Sequence, residues 1–216
     1  MHQILVYSDS LSWGIVPNTR KRLGFAERWP GAMEDHLIRS GHGVRVIEDC
    51  LNGRRTVWED PFKPGRNGLV GLQQRIEVSS PLSLVVLMLG TNDFQSTHQY
   101  NAWHSSQGIA TLVRAIRGAP IEPGMPVPEI LIVAPPPART PKGAIAPKFD
   151  GADAKSKGLA EAFAAIATEL GCPFYDAGRV VKVSAIDGVH LDADQHLVLA
   201  HVLAKEVAGL LDKAPV

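Results

Sequence analysis

Gln3-Ile-Leu-Val-Tyr7, a short and mostly apolar run, is followed directly by the polar turn Ser8-Asp-Ser-Leu-Ser-Trp-Gly14. A run without polar alternation is typical of a strand buried on both faces, as strands are in a parallel sheet. Parallel strands need crossover connections, so helices should separate such runs along the chain. This stretch therefore predicts an α/β protein with a candidate site at the first turn, because ligands bind beyond the carboxyl ends of such strands.

The rest of the chain repeats this alternation. Further strands are predicted at Val44–Glu48, Leu84–Leu89, Ile130–Ala134 and Pro173–Tyr175. Helical patterns cover Pro30–Ser40, 69–79, 105–117, 153–170 and 194–211, and the proline-rich stretches Gly118–Glu129 and Pro135–Asp150 are predicted to be loops. We predict a three-layer α/β/α fold with a flavodoxin-like, five-stranded parallel sheet of order 2-1-3-4-5, in a single domain over residues 1–216.

Composition limits the classes of partner. The chain has 22 Lys and Arg against 22 Asp and Glu, so it lacks the positive excess of a nucleic-acid binder, and nothing indicates a membrane surface. The longest apolar stretch, Leu82–Leu89, is too short to span a bilayer, and the N-terminus has no leader pattern. Cys50 and Cys172 are expected to be buried free thiols, because their spacing fits neither a disulfide framework nor a zinc site. We therefore expect a cytoplasmic protein.

Polar residues follow three of the strands. They are Ser8-Asp-Ser10 after the first, Asn52-Gly53 after the second and Gly90-Thr-Asn-Asp93 after the third. A further polar segment, Asp187-Gly-Val-His190, lies near the C-terminus. Because parallel strands end at one edge of the sheet, the first three segments should lie close together, and the fourth can reach them.

This set contains the parts of an acyl-transfer site. A serine at a strand-to-helix turn is exposed, but its hydroxyl needs a base to become nucleophilic. His190 can be that base for Ser10, and Asp187 can orient the imidazole. The oxyanion of the tetrahedral intermediate could be bound by the amides of Ser10 and Gly53 and by the side chain of Asn92.

These blocks, in this order, resemble the SGNH/GDSL esterase superfamily over nearly the whole chain. Within it, Ser10-Leu-Ser-Trp-Gly14 with Val16-Pro17, Leu89-Gly-Thr-Asn-Asp93 and Asp187-Gly-Val-His190 are most similar to the bacterial arylesterase and acyltransferase branch. The resemblance implies a serine esterase without metal or cofactor that hydrolyses short acyl esters and can transfer the acyl group to an alcohol. It also implies a homo-oligomer and a small-molecule ester as substrate.

Two residues depart from the pattern of this family. Ser8 stands where the family usually has glycine, and Ile15 stands where the branch often has an aromatic residue. We expect the first to affect the shape of the pocket and the second to leave more room in it. Substrate binding is assigned to five positions near the motifs: Leu11, Trp13, Ile15, Thr91 and Val189.

Several residues beside the motifs can have structural roles instead of roles in the site. Asp9 is expected to accept hydrogen bonds from turn amides, and Trp13 is as typical of a core as of a substrate wall. Ser8 and Ser12 are alternative nucleophiles. Arg54 and Arg55 are expected to be solvated, with lining of the entrance as the alternative, and Asp192 and Gln195 are expected to form a capping box.

Two other classes of function compete with the esterase. A flavodoxin-like electron carrier would share the fold, but Asp9 in the first loop would repel a phosphate. A non-catalytic module of the same fold could bind acylated carbohydrates. A metal site is not expected, because the histidine pairs His36/His42 and His196/His201 lack the spacing of ligands on one helix face.

Overall fold

The computed structural model describes residues 1–213. Its sheet has five parallel strands in the order β2-β1-β3-β4-β5. The strands are β1 (His2–Ser8), β2 (Val44–Cys50), β3 (Leu84–Met88), β4 (Glu129–Ala134) and β5 (Phe174–Asp176). The predicted fold class and strand order are confirmed.

Helices cover both faces of this sheet. Within residues 1–213 they are α1 (Ser10–Trp13), α2 (Trp29–Arg39), α3 (Leu72–Ser79), α4 (Ala102–Arg117), α5 (Ala152–Lys155), α6 (Leu159–Leu170) and α7 (Ala193–Leu211). Short 3-10 helices span Thr91–Phe94, Gly143–Lys148 and Ala177–Arg179. The second of these lies inside the stretch predicted to be a loop.

The central strand β1 shows how the three layers form. Ile4 and Val6 pack with α2 and α7 on one face, whereas Leu5 and Tyr7 pack with α3, α4 and α6 on the other. All four side chains are at most 2% exposed. Because successive side chains of a strand point to opposite faces, an apolar run buries both faces and requires a helical layer on each.

Three of the predicted helices differ from the structure by more than one residue. The predicted helix over 153–170 is two helices, α5 and α6, because Gly158 adopts a left-handed conformation with φ +78°. Gly71, with φ +77°, delays the start of α3 to Leu72. Helix α4 begins earlier than predicted, since Asn101 caps it by accepting a hydrogen bond from the amide of His104.

The predicted capping box at the start of α7 was wrong. Asp192 is the N-cap residue, but its side chain accepts no capping hydrogen bond. Gln195 instead accepts a hydrogen bond from the amide of Lys182 at 3.1 Å. No helix within the described residues is long and apolar enough to cross a membrane.

Candidate active site

The turn after β1 presents Ser10 at the carboxyl edge of the sheet. Asp9 is the N-cap of α1, and its Oδ1 accepts a hydrogen bond from the amide of Leu11 at 2.9 Å. This confirms the structural role expected for Asp9. Gly14, with φ +85°, ends the helix after one turn, so Ser10 stands at the start of a short, rigid turn.

Ser10, His190 and Asp187 form a continuous chain of hydrogen bonds. The Ser10 Oγ lies 3.2 Å from His190 Nε2, and His190 Nδ1 lies 2.8 Å from Asp187 Oδ2. Because a carboxylate only accepts hydrogen bonds, Nδ1 carries the ring proton and Nε2 is left to accept from the serine hydroxyl. None of the three residues is more than 5% exposed. This geometry suits proton transfer from the hydroxyl to the imidazole.

Asp187 is held in the ionised state by its neighbours. Its Oδ1 accepts from the amides of Val189 and His190, each at 2.9 Å, and its Oδ2 also accepts from the amide of Asn18 at 3.1 Å. Burial alone would raise the pKa of Asp187, but the hydrogen bonds from His190 and Val189 outweigh it and hold the pKa well below its usual range. The carboxylate therefore stays charged beside the imidazole.

Gly53 and Asn92 line the same cavity as Ser10. Gly53 has φ +84°, a conformation that favours glycine and exposes the backbone. Asn92 is oriented by two bonds: its Oδ1 accepts from Gln95 Nε2 at 2.7 Å, and its Nδ2 donates to Asp9 Oδ2 at 2.8 Å. The side-chain nitrogen of Asn92 keeps a second hydrogen, which makes it a fixed donor at the cavity.

Asp9 is the anionic partner of this donor. Burial raises the pKa of Asp9 to about 6, although hydrogen bonds from Leu11 and Asn92 oppose the rise. Above that pH Asp9 is ionised, and the hydrogen bond that its Oδ2 accepts from Asn92 is stronger than one to a neutral acid.

A second buried carboxylate ties the loop after β2 to the loop after β3. Asp93 accepts hydrogen bonds from the Thr56 amide, the Thr56 hydroxyl and the Ser105 hydroxyl at 2.9, 2.8 and 2.7 Å. Both loops are thereby held in register at the sheet edge. This contact stabilises the relative position of Gly53 and Asn92.

The cavity has a volume of about 310 Å³. Its lining brings together the six predicted residues Ser10, Ile15, Gly53, Asn92, Asp187 and His190. It also includes nine residues that the sequence analysis did not assign to the site: Asn18, Thr19, Arg20, Asn52, Lys63, Ala144, Ile145, Lys148 and Phe149.

Four of the residues assigned to substrate binding lie outside this lining. Leu11 is 1% exposed in the core beside α2 and α7, since it points away from Ser10 on the same helical turn. Val189 is fully buried in the opposite core. Thr91 is buried in the 3-10 helix after β3, and the ring of Trp13 stacks under the Arg22 guanidinium. These four side chains lie outside the lining of the described cavity, and their role in substrate binding stays a prediction.

The residues that were missed come mainly from two loops that meet over the cavity. A Cβ added to Gly143 would lie 2.5 Å from Asn18 Oδ1, so the loops 16–20 and 143–149 touch. Asn18 itself has φ +56°, which is uncommon for a residue with a side chain. The proline-rich composition of the second stretch indicated a loop, but composition carries no information about where a loop folds.

Ser8, the departure from glycine, lies outside the cavity. It is fully buried, and its hydroxyl donates to the Met88 carbonyl at 2.6 Å and contacts Ser12 Oγ at 2.5 Å. Ser12 in turn accepts from Trp29 Nε1 at 3.0 Å. Both hydroxyls are therefore engaged in the core, and the additional side chain does not narrow the pocket.

The expectation that Arg54 and Arg55 are solvated was wrong. Arg54 is 5% exposed, contacts Asp49 Oδ1 at 2.6 Å and stacks on the ring of Tyr7. Arg55 is fully buried and pairs with Asp60 at 3.4 Å. Each charge is buried because the fold supplies it with a carboxylate and hydrogen-bond acceptors.

Several polar groups lie outside this cavity, including a buried histidine and two cysteines. Within residues 1–213 no group of three or more His, Cys, Asp or Glu side chains could hold a metal ion. His196 is fully buried, and its Nδ1 accepts from the amide of Trp29 at 3.2 Å. Cys50 and Cys172 are free and only half-buried, which differs from the full burial that was expected.

The sequence of residues 9–201 matches the model of the GDSL-like lipase/acylhydrolase family. The chain belongs to this family. Membership makes the protein a carboxylic-ester hydrolase of the SGNH/GDSL group, as the motifs indicated. Among proteins with curated annotation, no sequence matched this GDSL-like acylhydrolase.

Solved structures resemble this GDSL-like acylhydrolase over their full length. Est24, a carbohydrate acetylesterase from Sinorhizobium meliloti, is 34% identical with a TM-score of 0.90, and the match covers 97% of this chain and 100% of that one. The aryl esterase of M. smegmatis is 33% identical, with the same TM-score and coverage. A lipase/acylhydrolase from Enterococcus faecalis, at 16% identity and a TM-score of 0.66 over 97% of this chain and 96% of that one, shows the shared fold alone.

Proposed function

We propose that the protein is a serine esterase in which Ser10, His190 and Asp187 are the catalytic triad. The observation that carries the proposal is the chain of hydrogen bonds from Ser10 Oγ through the His190 ring to Asp187, which opens on a cavity shared with Gly53 and Asn92. A nucleophile, a base and an orienting carboxylate in this geometry are the parts that acyl transfer requires.

The reaction follows from these positions. His190 Nε2 takes the hydroxyl proton as Ser10 Oγ forms a bond to the ester carbonyl carbon. The oxyanion that develops is stabilised by the amides of Ser10 and Gly53 and by Asn92 Nδ2. The carbonyl then reforms as the bond to the alkoxide breaks, and the protonated imidazole gives its proton to that alkoxide. The alcohol departs, and the acyl group stays bound to Ser10 Oγ. A water molecule, deprotonated by His190, cleaves that acyl-enzyme and restores the serine.

The size of the cavity favours small esters. Its volume of about 310 Å³ is near the lower end of the ligand pockets of proteins, which run from about 300 to 1,000 Å³. The apolar side chains of Ile15, Ile145 and Phe149 line it beside Ser10. Similarity to an acetylesterase and an aryl esterase supports short acyl groups, such as acetyl, as the preferred substrates.

Labelling and kinetics test the triad together. A fluorophosphonate should label the wild-type protein once, at Ser10, and p-nitrophenyl acetate should be hydrolysed through a burst of p-nitrophenol. Ser10→Ala should abolish labelling, and Ser10→Ala or His190→Ala should lower kcat by about 10³-fold or more because these groups act as a unit.

Ser12→Ala is the matched control, since it removes a hydroxyl two residues from Ser10 that is engaged in the core. It should keep the label. Circular dichroism of each variant checks that the fold is intact. Undiminished labelling and turnover in folded Ser10→Ala would refute the assignment.

A further inference from the structure

Three cationic side chains line the cavity that contains Ser10. Arg20, Lys63 and Lys148 come from three separate segments of the chain. Among the described residues that line the cavity, Asp187 is the one carboxylate, and it is fully buried and engaged by four N–H groups. Because the chain as a whole has 22 positive and 22 negative side chains, this excess of positive charge belongs to the cavity and not to the protein's composition.

The charges are not neutralised by neighbouring carboxylates. Arg20 and Lys63 make no ion pair within the part of the chain that the structure describes. Lys148 lies 3.9 Å from Asp60, but Asp60 is also 3.4 Å from the buried Arg55. The single carboxylate of Asp60 therefore lies near Arg55, Lys148 and Lys63, and positive charge exceeds negative charge among the described residues on this side.

The cations are close enough to influence each other. Burial lowers the pKa of Lys63, the charges of Arg66 and Arg20 lower it further, and the charge of Asp60 opposes them. Burial also lowers the pKa of Lys148, where Asp60 opposes the effect and Arg55, Lys63 and Arg20 add to it. Each lysine is thus repelled by the other positive groups of the cavity, and an anion bound among them would relieve that repulsion.

We propose that the preferred substrates are esters that carry a negatively charged group, a carboxylate or a phosphate, which binds among Arg20, Lys63 and Lys148 while the ester carbonyl lies at Ser10. The inference rests on the proposed esterase function and specifies its substrate class. The chemistry of recognition is charge pairing from flexible cations, so the anion can be on the acyl or on the alcohol part of a small ester. Arg20, Lys63 and Lys148 are exposed to solvent, so they are free to pair with an anion that enters the cavity from outside, and salt should screen that pairing.

The test compares anionic esters with neutral esters of the same shape. On the acyl side, p-nitrophenyl hemisuccinate is paired with p-nitrophenyl pentanoate. On the alcohol side, 4-acetoxybenzoate is paired with its methyl ester. The ester 4-acetoxyphenyl phosphate tests a phosphate as the anionic group instead of a carboxylate. In the wild-type protein, kcat/KM should be about tenfold higher for the anionic member of at least one pair.

Charge removal identifies the residues responsible. Arg20→Gln and Lys63→Met should each reduce the anionic-to-neutral ratio of kcat/KM by about three- to tenfold, and the double variant should bring it close to one. Lys205→Met, at an exposed position of α7, removes the same charge far from the lining and should leave the ratio unchanged. Raising the salt concentration from 0.01 to 0.5 M should lower the ratio in the wild type, because salt screens charge pairing.

The outcomes separate this inference from the proposed function. A wild-type protein that hydrolyses neutral esters as well as or better than their anionic partners, in every pair, refutes the inference and leaves the esterase intact. A ratio that survives in the double variant refutes the assignment to Arg20 and Lys63. Absence of turnover with every ester refutes the proposed function itself.

Discussion

Asp187→Asn tests the role of the buried carboxylate most directly. The wild-type side chain accepts four N–H donors, two on each oxygen: the amides of Val189 and His190 on Oδ1, and His190 Nδ1 and the Asn18 amide on Oδ2. An asparagine keeps one acceptor oxygen and replaces the other with an NH₂ group. If the remaining oxygen keeps the bonds of Oδ1 to the backbone amides, the new NH₂ group faces two donors, His190 Nδ1 and the Asn18 amide.

The expected loss of rate follows from the histidine tautomer. To avoid two facing donors, the imidazole must move its proton to Nε2 so that Nδ1 can accept from the new amide. Nε2 then cannot accept the proton of Ser10, and kcat should fall by about 10³- to 10⁴-fold, or about 4–5.5 kcal/mol in the activation free energy. The Asn18 amide also loses its acceptor, so the free energy of unfolding should fall by about 1–3 kcal/mol.

Three measurements check this reasoning. Initial rates with p-nitrophenyl acetate give kcat, ¹⁵N chemical shifts of the His190 ring report which nitrogen carries the proton, and urea unfolding gives the stability. Asp194→Asn, at an exposed position of α7, is the matched control and should match the wild type in all three measurements. A kcat within about tenfold of the wild type, or an unchanged tautomer with a full loss of rate, would refute the argument.

Three further predictions concern the surroundings of the triad. Gln95→Leu removes the donor to Asn92 Oδ1, so kcat should fall about tenfold with little change in KM, as initial rates over a substrate series would show. His196 has its pKa lowered to about 4 by burial, with the charge of His190 adding to the effect. Because the unfolded chain binds this proton near pH 6.5, native stability is complete above that pH and falls by up to about 3 kcal/mol towards pH 4. In urea unfolding, His196→Gln, which keeps an acceptor for the Trp29 amide, should lack that component of the pH dependence. Finally, a primary alcohol added to the aqueous reaction should yield a new ester detectable by chromatography; hydrolysis alone would contradict acyl transfer.

The helices and strands and the candidate site residues could be predicted from the sequence because both leave local sequence patterns. Apolar runs such as Gln3–Tyr7 predicted the strands, and parallel topology brought their polar ends together. Ser10 and His190, 180 residues apart, therefore meet as expected. Each strand of a parallel sheet presents its carboxyl end to the same edge, so strand order is enough to place them.

The walls of the cavity could not be predicted in the same way. Leu11 and Val189 neighbour the proposed catalytic residues Ser10 and His190 in sequence, but adjacent residues on a turn point in different directions. Lys63 lies in a loop and Lys148 lies in the short 3-10 helix Gly143–Lys148, and no local sequence pattern indicates which cavity either side chain reaches. Association into a homo-oligomer stays a prediction, to be checked by the mass of the particle in solution.

The buried charges show a further limit of the sequence. Arg54 and Arg55 occupy the core only because Asp49 and Asp60 reach them. Burial of a charge is decided by its partner, and the Arg55–Asp60 pairing depends on how two loop segments fold together. A sequence pattern that treats each residue alone predicts solvent exposure at both positions.

The lining of the cavity has two origins, and this division has an evolutionary consequence. Ser10, Gly53 and Asn92 follow directly from strand ends. Lys63 belongs to the segment between β2 and α3, and Ile145 and Lys148 belong to the segment between β4 and α5. Mutations in those connecting segments can change which esters are accepted, while the residues that follow the strand ends are inherited unchanged. Relatives with the same motifs should therefore diverge first in substrate specificity and last in reaction mechanism.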